Sequence, residues 1–176
     1  MVFDPLGLTA NTSSSKGQVT LVLGLGTLPL TSPSRPFNLP NNLCRVSSGN
    51  GADLLSLTDP QNKIIYEMHQ YLDTDGSGTS ANCVSTTIGS ERLKAATAWL
   101  KANGKKAVLG EYAGGANTQC QSAAKDLLSY MGSNADVWLG ALWWGGGPWW
   151  GDYIYSMEPP SGSAFTSTLP LIMPYA

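Results

Sequence analysis

The sequence has little charge of either sign. Ten Lys and Arg residues stand against twelve Asp and Glu residues among 176, and charged residues make up only 12% of the chain. A protein that binds nucleic acid or anionic lipid carries a cationic surface, which this composition does not provide. No apolar run approaches the roughly 20 residues of a membrane-spanning helix. We therefore expect neither nucleic acid nor membrane as a partner, and carbohydrate is the neutral polar ligand that suits the composition best.

Histidine and cysteine are also scarce. One His and three Cys residues, at spacings that match no metal-ligand pattern, lead us to expect no metal and no cofactor. Cys83 and Cys120 each follow a strand-like segment, in loops on the same side of the predicted sheet. We predict a disulfide between them, as is typical of an oxidising compartment, with two unpaired thiols as the alternative. Cys44 is expected to be unpaired.

Strand and helix patterns alternate from about residue 64 onward. The predicted order is a strand at 64–72, a helix at 91–103 capped by Ser90, a strand at 106–111, a helix at 118–131 and a strand at 137–143. Strands that alternate with helices over short connections predict parallel βαβ units.

Residues 1–50 have a different character. A low-complexity run at 11–15 precedes a stretch with four prolines at 27–42, and only 19–25 resembles a strand. Asn11 begins an N-x-S sequence, and the amino terminus lacks the pattern of a secretory signal. We therefore divide the chain into an unassigned, linker-like segment at 1–50 and an α/β segment at 51–176.

Glu111 is the strongest candidate for a catalytic group. It ends the predicted strand at 106–111 and is soon followed by Gly114 and Gly115. A buried strand rarely ends on an ionised carboxylate, because desolvation of the charge is costly. The glycines are expected to leave open space above the carboxylate. A surface salt bridge is the alternative that this motif alone leaves open.

Three polar side chains share one face of the preceding strand. Glu67, His69 and Tyr71 alternate along it and so point to the same side. A histidine and a tyrosine placed there could orient a carboxylate or bind sugar hydroxyls. The alternative is that the three residues satisfy one another in the core.

Most of the tryptophan lies in one short segment. Five of the six residues are at positions 138, 143, 144, 149 and 150, among several glycines. Exposed indoles beside small residues form platforms on which sugar rings stack. We therefore predict that Trp143, Trp144 and Trp149 contact a sugar. An aromatic protein-binding surface is the competing interpretation.

These motifs carry a family resemblance. The segment from about Gly51 to Tyr175 resembles the carboxyl-terminal part of fungal-type endo-β-1,4-glucanases of glycoside hydrolase family 5, through residues 66–73, 110–115, 143–145 and 156–160. The resemblance implies a (β/α)8 TIM-barrel type of α/β fold, here an incomplete barrel of the last three or so βα units. It also implies an extracellular, monomeric hydrolase of internal β-1,4 bonds in cellulose or a related β-glucan.

The resemblance also implies individual roles. Glu111 would be the nucleophile of a retaining mechanism, and His69 and Tyr71 would line the cleft. Trp144 would be the platform under the sugar next to the scissile bond. Cys83 and Cys120 occupy the positions of a family disulfide.

One family motif is missing. The acid/base glutamate of the family lies in an Asn-Glu-Pro motif, which does not occur in the 176 residues. A complete barrel takes about 250 residues, rarely fewer than 200. We therefore expect weak or no hydrolysis by this chain alone. A non-catalytic carbohydrate-binding remnant that uses the tryptophan-rich loop is the alternative function.

Overall fold

The structure, a computed structural model, describes residues 63–146 and 148–176, residues 55, 57 and 60, and the backbone of residues 2–3 and 22–24. The expectations for Asn11 and Cys44, and most of the predicted linker at 1–50, fall outside these residues. Among the described residues, no helix is long and apolar enough to cross a membrane.

The described residues form one sheet and several helices. The strands are β1 (Val2–Phe3), β2 (Val22–Gly24), β3 (Ile65–Tyr71), β4 (Lys106–Ala113) and β5 (Trp138–Trp143). The helices are α1 (Ile88–Ala102), α2 (Thr118–Gly132), α3 (Ser163–Ser167) and α4 (Leu169–Ile172), followed by a 3-10 turn at Met173–Tyr175.

The sheet order is β1-β5-β4-β3-β2. The strands β2 to β5 run parallel, and β1 is antiparallel to β5. Since α1 joins β3 to β4 and α2 joins β4 to β5, the predicted βαβ units are confirmed. The carboxyl ends of the three central strands meet at one edge of the sheet, where proteins built from parallel βα units place their functional groups.

Each of the two long helices buries one apolar face in the core. The following residues of these faces are fully buried: Leu93, Ala96, Leu100, Ala123, Ala124 and Leu127. Full burial of a leucine side chain is worth about 1.5–3 kcal/mol, so this layer contributes substantially to the stability of the fold.

The predicted start of α1 is wrong by three residues. The helix begins at Ile88 rather than Glu91, and Ser90 is not its cap. The Ser90 hydroxyl donates to the Thr87 carbonyl over 3.2 Å, and the Ser90 amide, within the first turn, donates to Asp126 Oδ2 of α2 over 2.7 Å. Gly89 allows this approach, because a Cβ there would lie 2.5 Å from the Ala123 carbonyl oxygen.

Candidate active site

A bulge in β4 decides which face of the sheet carries Glu111. Pairing with β3 is regular as far as Leu109, and the next paired residue is Glu111, opposite His69, so Gly110 is the extra residue. Ala107 and Leu109 are fully buried in the core, and strict alternation would bury Glu111 on the same face. The extra residue turns Glu111 to the opposite face, where His69 lies.

Glu111 is held by two side chains of β3. The Tyr71 hydroxyl donates to Glu111 Oε2 over 2.8 Å, and His69 Nδ1 lies 3.2 Å from the same oxygen. The Glu111 side chain is 21% exposed, which leaves it accessible to a ligand. Within the described part of the chain, no hydrogen bond reaches Oε1. One carboxylate oxygen is therefore fixed and the other is open.

Glu67 binds the opposite side of the imidazole. Its Oε1 pairs with His69 Nε2, so both ring nitrogens face a carboxylate, and both can donate only in the imidazolium form. Burial alone would lower the pKa of His69, but the hydrogen bond with Glu67 and the charges of Glu67 and Glu111 outweigh it and raise that pKa. Gly110 makes room for this arrangement, because a Cβ there would overlap the Glu67 carboxylate.

Tyr71 remains a hydrogen-bond donor at all physiological pH values. The pKa of Tyr71 lies far above the ordinary value of 10. Burial is the largest cause, and the hydrogen bond to Glu111 and the charge of that carboxylate raise the pKa further. The two residues that hold Glu111 are thus a protonated phenol and a histidine whose pKa is raised.

The glycines after β4 have a different role from the one expected. The strand continues to Ala113 instead of ending at Glu111. A Cβ at Gly114 would lie 3.3 Å from Cys83 Sγ, and one at Gly115 would overlap the Ala81 carbonyl. These glycines therefore allow the β3–α1 loop to pack closely against the chain that follows β4.

Cys83 and Cys120 are joined in a disulfide. It connects the loop after β3 to the first turn of α2. Asn117 supports the same contact, because its Nδ2 donates to the Ala81 carbonyl over 2.7 Å. The loop that leaves the carboxyl end of β3 is thus fixed to the helix that follows β4.

Trp144 lies directly after β5 with 38% of its surface exposed. Its ring meets Trp150 edge-on at 5.5 Å, and the Trp150 ring in turn lies 4.9 Å from the ring of Tyr153. Burial raises the pKa of Tyr153, and the negative charge of Glu111 is the next largest cause. Trp144 thus belongs to an aromatic cluster with Trp150 and Tyr153, and the charge of Glu111 acts on the tyrosine of that cluster.

Two of the clustered tryptophans belong to the core. Trp143 is 4% exposed, its Nε1 donates to the Tyr155 carbonyl over 2.9 Å, and its ring packs edge-on against Tyr112. Trp138 is also buried, with its indole N–H donated to Thr97 Oγ1 over 2.8 Å. The prediction that Trp143 contacts a sugar is therefore corrected: its position on β5 points its ring into the protein.

Among the residues that the structure describes, Trp149 is the most exposed large apolar side chain, at 94%. It adopts a positive φ of 71°, which is uncommon outside glycine. The Glu158 carboxylate accepts hydrogen bonds from the backbone amides of Trp149 and Trp150, at 3.3 and 3.2 Å. The loop around the predicted sugar contact is thus held by an acid that the sequence analysis did not single out.

The sequence analysis also missed Asp73, Arg92 and Tyr155. Asp73 is 1% exposed, and Arg92 donates to the Tyr71 and Asp73 carbonyls over 2.5 and 2.6 Å. Tyr155 is buried and stacks on Tyr71 at 6.2 Å. The available signal was the glycine- and serine-rich run that starts at Asp73, which marked a structured turn but not its partners.

No group of three or more His, Cys, Asp or Glu side chains within the described ranges is arranged to hold a metal ion.

Comparison with known proteins identifies related sequences. Residues 39–147 match the family model described as Cellulase (glycosyl hydrolase family 5). The chain is 62% identical over 123 residues to the probable endo-beta-1,4-glucanase B of Neosartorya fischeri, a match that covers 70% of this chain and 37% of the relative. It is also 62% identical to endoglucanase gh5-1 of Neurospora crassa, over 70% of this chain and 32% of that protein. The chain thus spans about a third of the length of these curated relatives.

Solved structures resemble the chain in fold. XacCel5A in complex with cellopentaose matches with a TM-score of 0.69 and 38% identity, over 78% of this chain and 45% of that one. Cel5A (EG2) from Hypocrea jecorina matches with a TM-score of 0.65 and 30% identity, over 75% and 43%. The fold is therefore of the (β/α)8 type, and the described parallel strands and alternating helices form part of such a barrel, as the sequence predicted.

Proposed function

The chain belongs to glycosyl hydrolase family 5, and on that premise we propose that it carries the nucleophile-bearing part of a retaining endo-β-1,4-glucanase. The proposed substrate is cellulose or a related β-1,4-glucan. Relatives named endo-beta-1,4-glucanase, and a structural relative in complex with cellopentaose, support this substrate class.

The observation that carries the proposal is the placement of Glu111. Its Oε2 is bound by Tyr71 at 2.8 Å and faces His69 at 3.2 Å, while Oε1 has no hydrogen-bond partner among the described residues. A nucleophile in a retaining glycosidase needs one oxygen positioned for attack on the anomeric carbon. Two donors on the other oxygen fix its direction, which is the geometric contribution that an enzyme makes to such an attack.

The proposed first step forms a bond between Glu111 Oε1 and the anomeric carbon as the bond to the leaving oxygen breaks. Trp144 is the proposed platform beneath that sugar, since its indole is 38% exposed and its backbone amide donates over 3.0 Å to the carbonyl of Tyr112, the residue after Glu111. In the second step, water replaces Glu111 on the anomeric carbon and the configuration is retained.

The leaving oxygen needs a proton that these residues do not supply. A retaining site has a second carboxyl about 5–5.5 Å from the first, and general-acid assistance contributes about 10²–10⁴-fold. Glu67 is already paired with His69, and the family Asn-Glu-Pro motif is absent from the sequence. We therefore propose that the chain alone hydrolyses natural glucan weakly or not at all, but still reacts with sugars whose leaving group needs no proton.

Covalent labelling tests the nucleophile. We would incubate the chain with 2,4-dinitrophenyl 2-deoxy-2-fluorocellobioside and measure the intact mass, followed by peptide mapping. The expected result is one fluorocellobiosyl group on Glu111 and none in Glu111→Gln. A label on another residue, or no label at all, would refute the assignment. Turnover of a soluble cellulose derivative at a full enzymatic rate would refute only the proposal of weak activity.

The exposed aromatic rings favour a second candidate, a non-catalytic carbohydrate-binding chain. Trp144 and Trp149 are 38% and 94% exposed and could bind a glucan without any bond cleavage. This candidate predicts quenching of tryptophan fluorescence by cellopentaose together with a complete lack of labelling at Glu111. An aromatic protein-binding surface would show no quenching by cellopentaose and no labelling at Glu111.

The remaining expectations stay proposals. We propose that residues 51–176 form the catalytic-domain segment and that the whole protein is an extracellular monomer. The disulfide between Cys83 and Cys120 supports an oxidising compartment. Sedimentation of the purified chain at several concentrations would test the monomer, because self-association would appear as a concentration-dependent mass.

A further inference from the structure

The loop that follows β3 is built around a buried carboxylate. Asp73 is 1% exposed, and its Oδ2 accepts hydrogen bonds from the backbone amides of Thr79 and Ser80 at 2.9 and 3.1 Å. Its Oδ1 accepts from the amide of Gly78 at 3.2 Å. A buried carboxylate that binds several N–H groups fixes the path of the chain that supplies them. Asp73 therefore sets the conformation of residues 78–80.

That conformation brings the backbone of Gly78 against the Tyr71 ring. Gly78 has a φ of +74°, and a Cβ there would lie 2.7 Å from Tyr71 Cδ1 and 2.8 Å from Cε1. Contacts this short leave no room for any side chain at position 78. The glycine is required both by its backbone angle and by the position of the tyrosine ring.

The Tyr71 ring also lies beside the ring of Tyr155. The two rings are stacked at 6.2 Å with an angle of 21°, and the Tyr155 hydroxyl donates to the Ser80 carbonyl over 2.6 Å. Ser80 belongs to the segment that Asp73 holds, so the loop positions both neighbours of Tyr71. Arg92 fixes the start of the loop by donating to the carbonyls of Tyr71 and Asp73.

We propose that this loop is a positioning device for the nucleophile: Asp73 holds Gly78 and Ser80 so that the Tyr71 phenol is clamped at hydrogen-bond distance from Glu111. The proposal rests on the proposed role of Glu111 and adds Asp73, Gly78 and Tyr155 as positioning residues that touch neither the sugar nor the reacting atoms. They act only through the direction of the Tyr71 hydroxyl.

The test compares Gly78→Ala with Gly104→Ala. Both glycines have positive φ, +74° and +60°, but a Cβ at Gly104 meets nothing within 4 Å. Backbone strain is therefore common to the two variants, and only Gly78→Ala pushes on Tyr71. Rates of labelling of Glu111 by the dinitrophenyl fluorocellobioside are measured by intact mass in both variants, in Tyr71→Phe and in the double variant Gly78→Ala/Tyr71→Phe.

The expected result is epistasis. Loss of a hydrogen bond to a charged group slows labelling about ten- to a hundred-fold in Tyr71→Phe and in Gly78→Ala. The double variant should be no slower than Tyr71→Phe, and Gly104→Ala should label at the wild-type rate. Equal effects of the two glycine variants, or multiplication of the two effects in the double variant, would overturn the proposal.

A measurement without ligand separates this inference from the proposed function. The chain is labelled with 3-fluorotyrosine, and the Tyr71 ¹⁹F resonance is identified by its absence in Tyr71→Phe. We expect it to shift in Gly78→Ala and in the milder Tyr155→Phe, which removes only the bond to Ser80, and to stay in place in Gly104→Ala. If wild type takes no label, the proposed function fails and the ¹⁹F spectra alone decide the positioning role; an unmoved resonance in both variants refutes it.

Discussion

His69 lies opposite Glu111 across β3 and β4, with Nδ1 3.2 Å from Oε2, because Gly110 is left out of the strand pairing. The same glycine leaves the space that the Glu67 carboxylate occupies beside the other ring nitrogen. A single residue without a side chain therefore determines both partners of the imidazole.

The first prediction concerns Gly110→Ala. The added methyl group overlaps the Glu67 carboxylate, so Glu67 has to move away from His69. Because the hydrogen bond and charge of Glu67 raise the pKa of His69, the variant should show a lower His69 pKa. An NMR titration measures it without ambiguity, since the sequence has only one histidine. Gly132→Ala, where a Cβ meets nothing, is the control, and an unchanged pKa in Gly110→Ala would contradict the assignment.

The second prediction is a pH dependence of stability that comes from His69. Its pKa is raised in the folded protein above the ordinary value of 6.5. The imidazolium therefore stabilises the fold fully below pH 6.5, and this contribution is lost as the pH rises through the folded pKa. Urea unfolding of wild type and His69→Gln from pH 5 to 9 should give a difference in unfolding free energy that shrinks with increasing pH. A difference that grows toward alkaline pH would show that the sign is wrong.

The third prediction separates two adjacent tryptophans. Trp143→Phe removes a buried indole N–H bound to the Tyr155 carbonyl and should cost about 1–3 kcal/mol of unfolding free energy, with sugar affinity unchanged. Trp144→Ala removes a half-exposed ring and should weaken cellopentaose binding with little effect on stability. Urea unfolding and fluorescence titration measure the two quantities in both variants. If Trp143→Phe weakened cellopentaose binding and Trp144→Ala lowered the unfolding free energy instead, Trp144 would not be the indole that contacts the sugar.

The fourth prediction concerns the disulfide. Cys83 and Cys120 are 37 residues apart, and closure of a loop of that length stabilises a fold by about 4 kcal/mol in the chain-entropy model. Dithiothreitol should therefore lower the melting temperature of the chain. Cys83→Ser/Cys120→Ser should melt at the lower temperature and be insensitive to the reductant. An unchanged melting temperature on verified reduction would show that the cross-link is dispensable.

Local patterns in the sequence were sufficient to predict the two long helices and the polar face of β3. The apolar stripes over 91–103 and 118–131 predicted two helices that the structure contains, because a helical period of 3.6 leaves a clear mark on any amphipathic segment. The shared face of Glu67, His69 and Tyr71 followed from the period of two in a strand.

The sequence could not predict features that depend on contacts between residues far apart in the chain. Alternation along β4 would have buried Glu111, and only pairing with β3 revealed the bulge that turns it to the site, although an isolated glycine within a strand is a known sign of one. The same holds for Trp143, which composition grouped with the exposed indoles, and for Asp73, whose partners lie on a folded loop. The residue types and their local periods were set by the sequence alone. Which oxygen each donor reaches and which ring meets solvent depended on strand register and loop packing, because these join groups far apart in the chain.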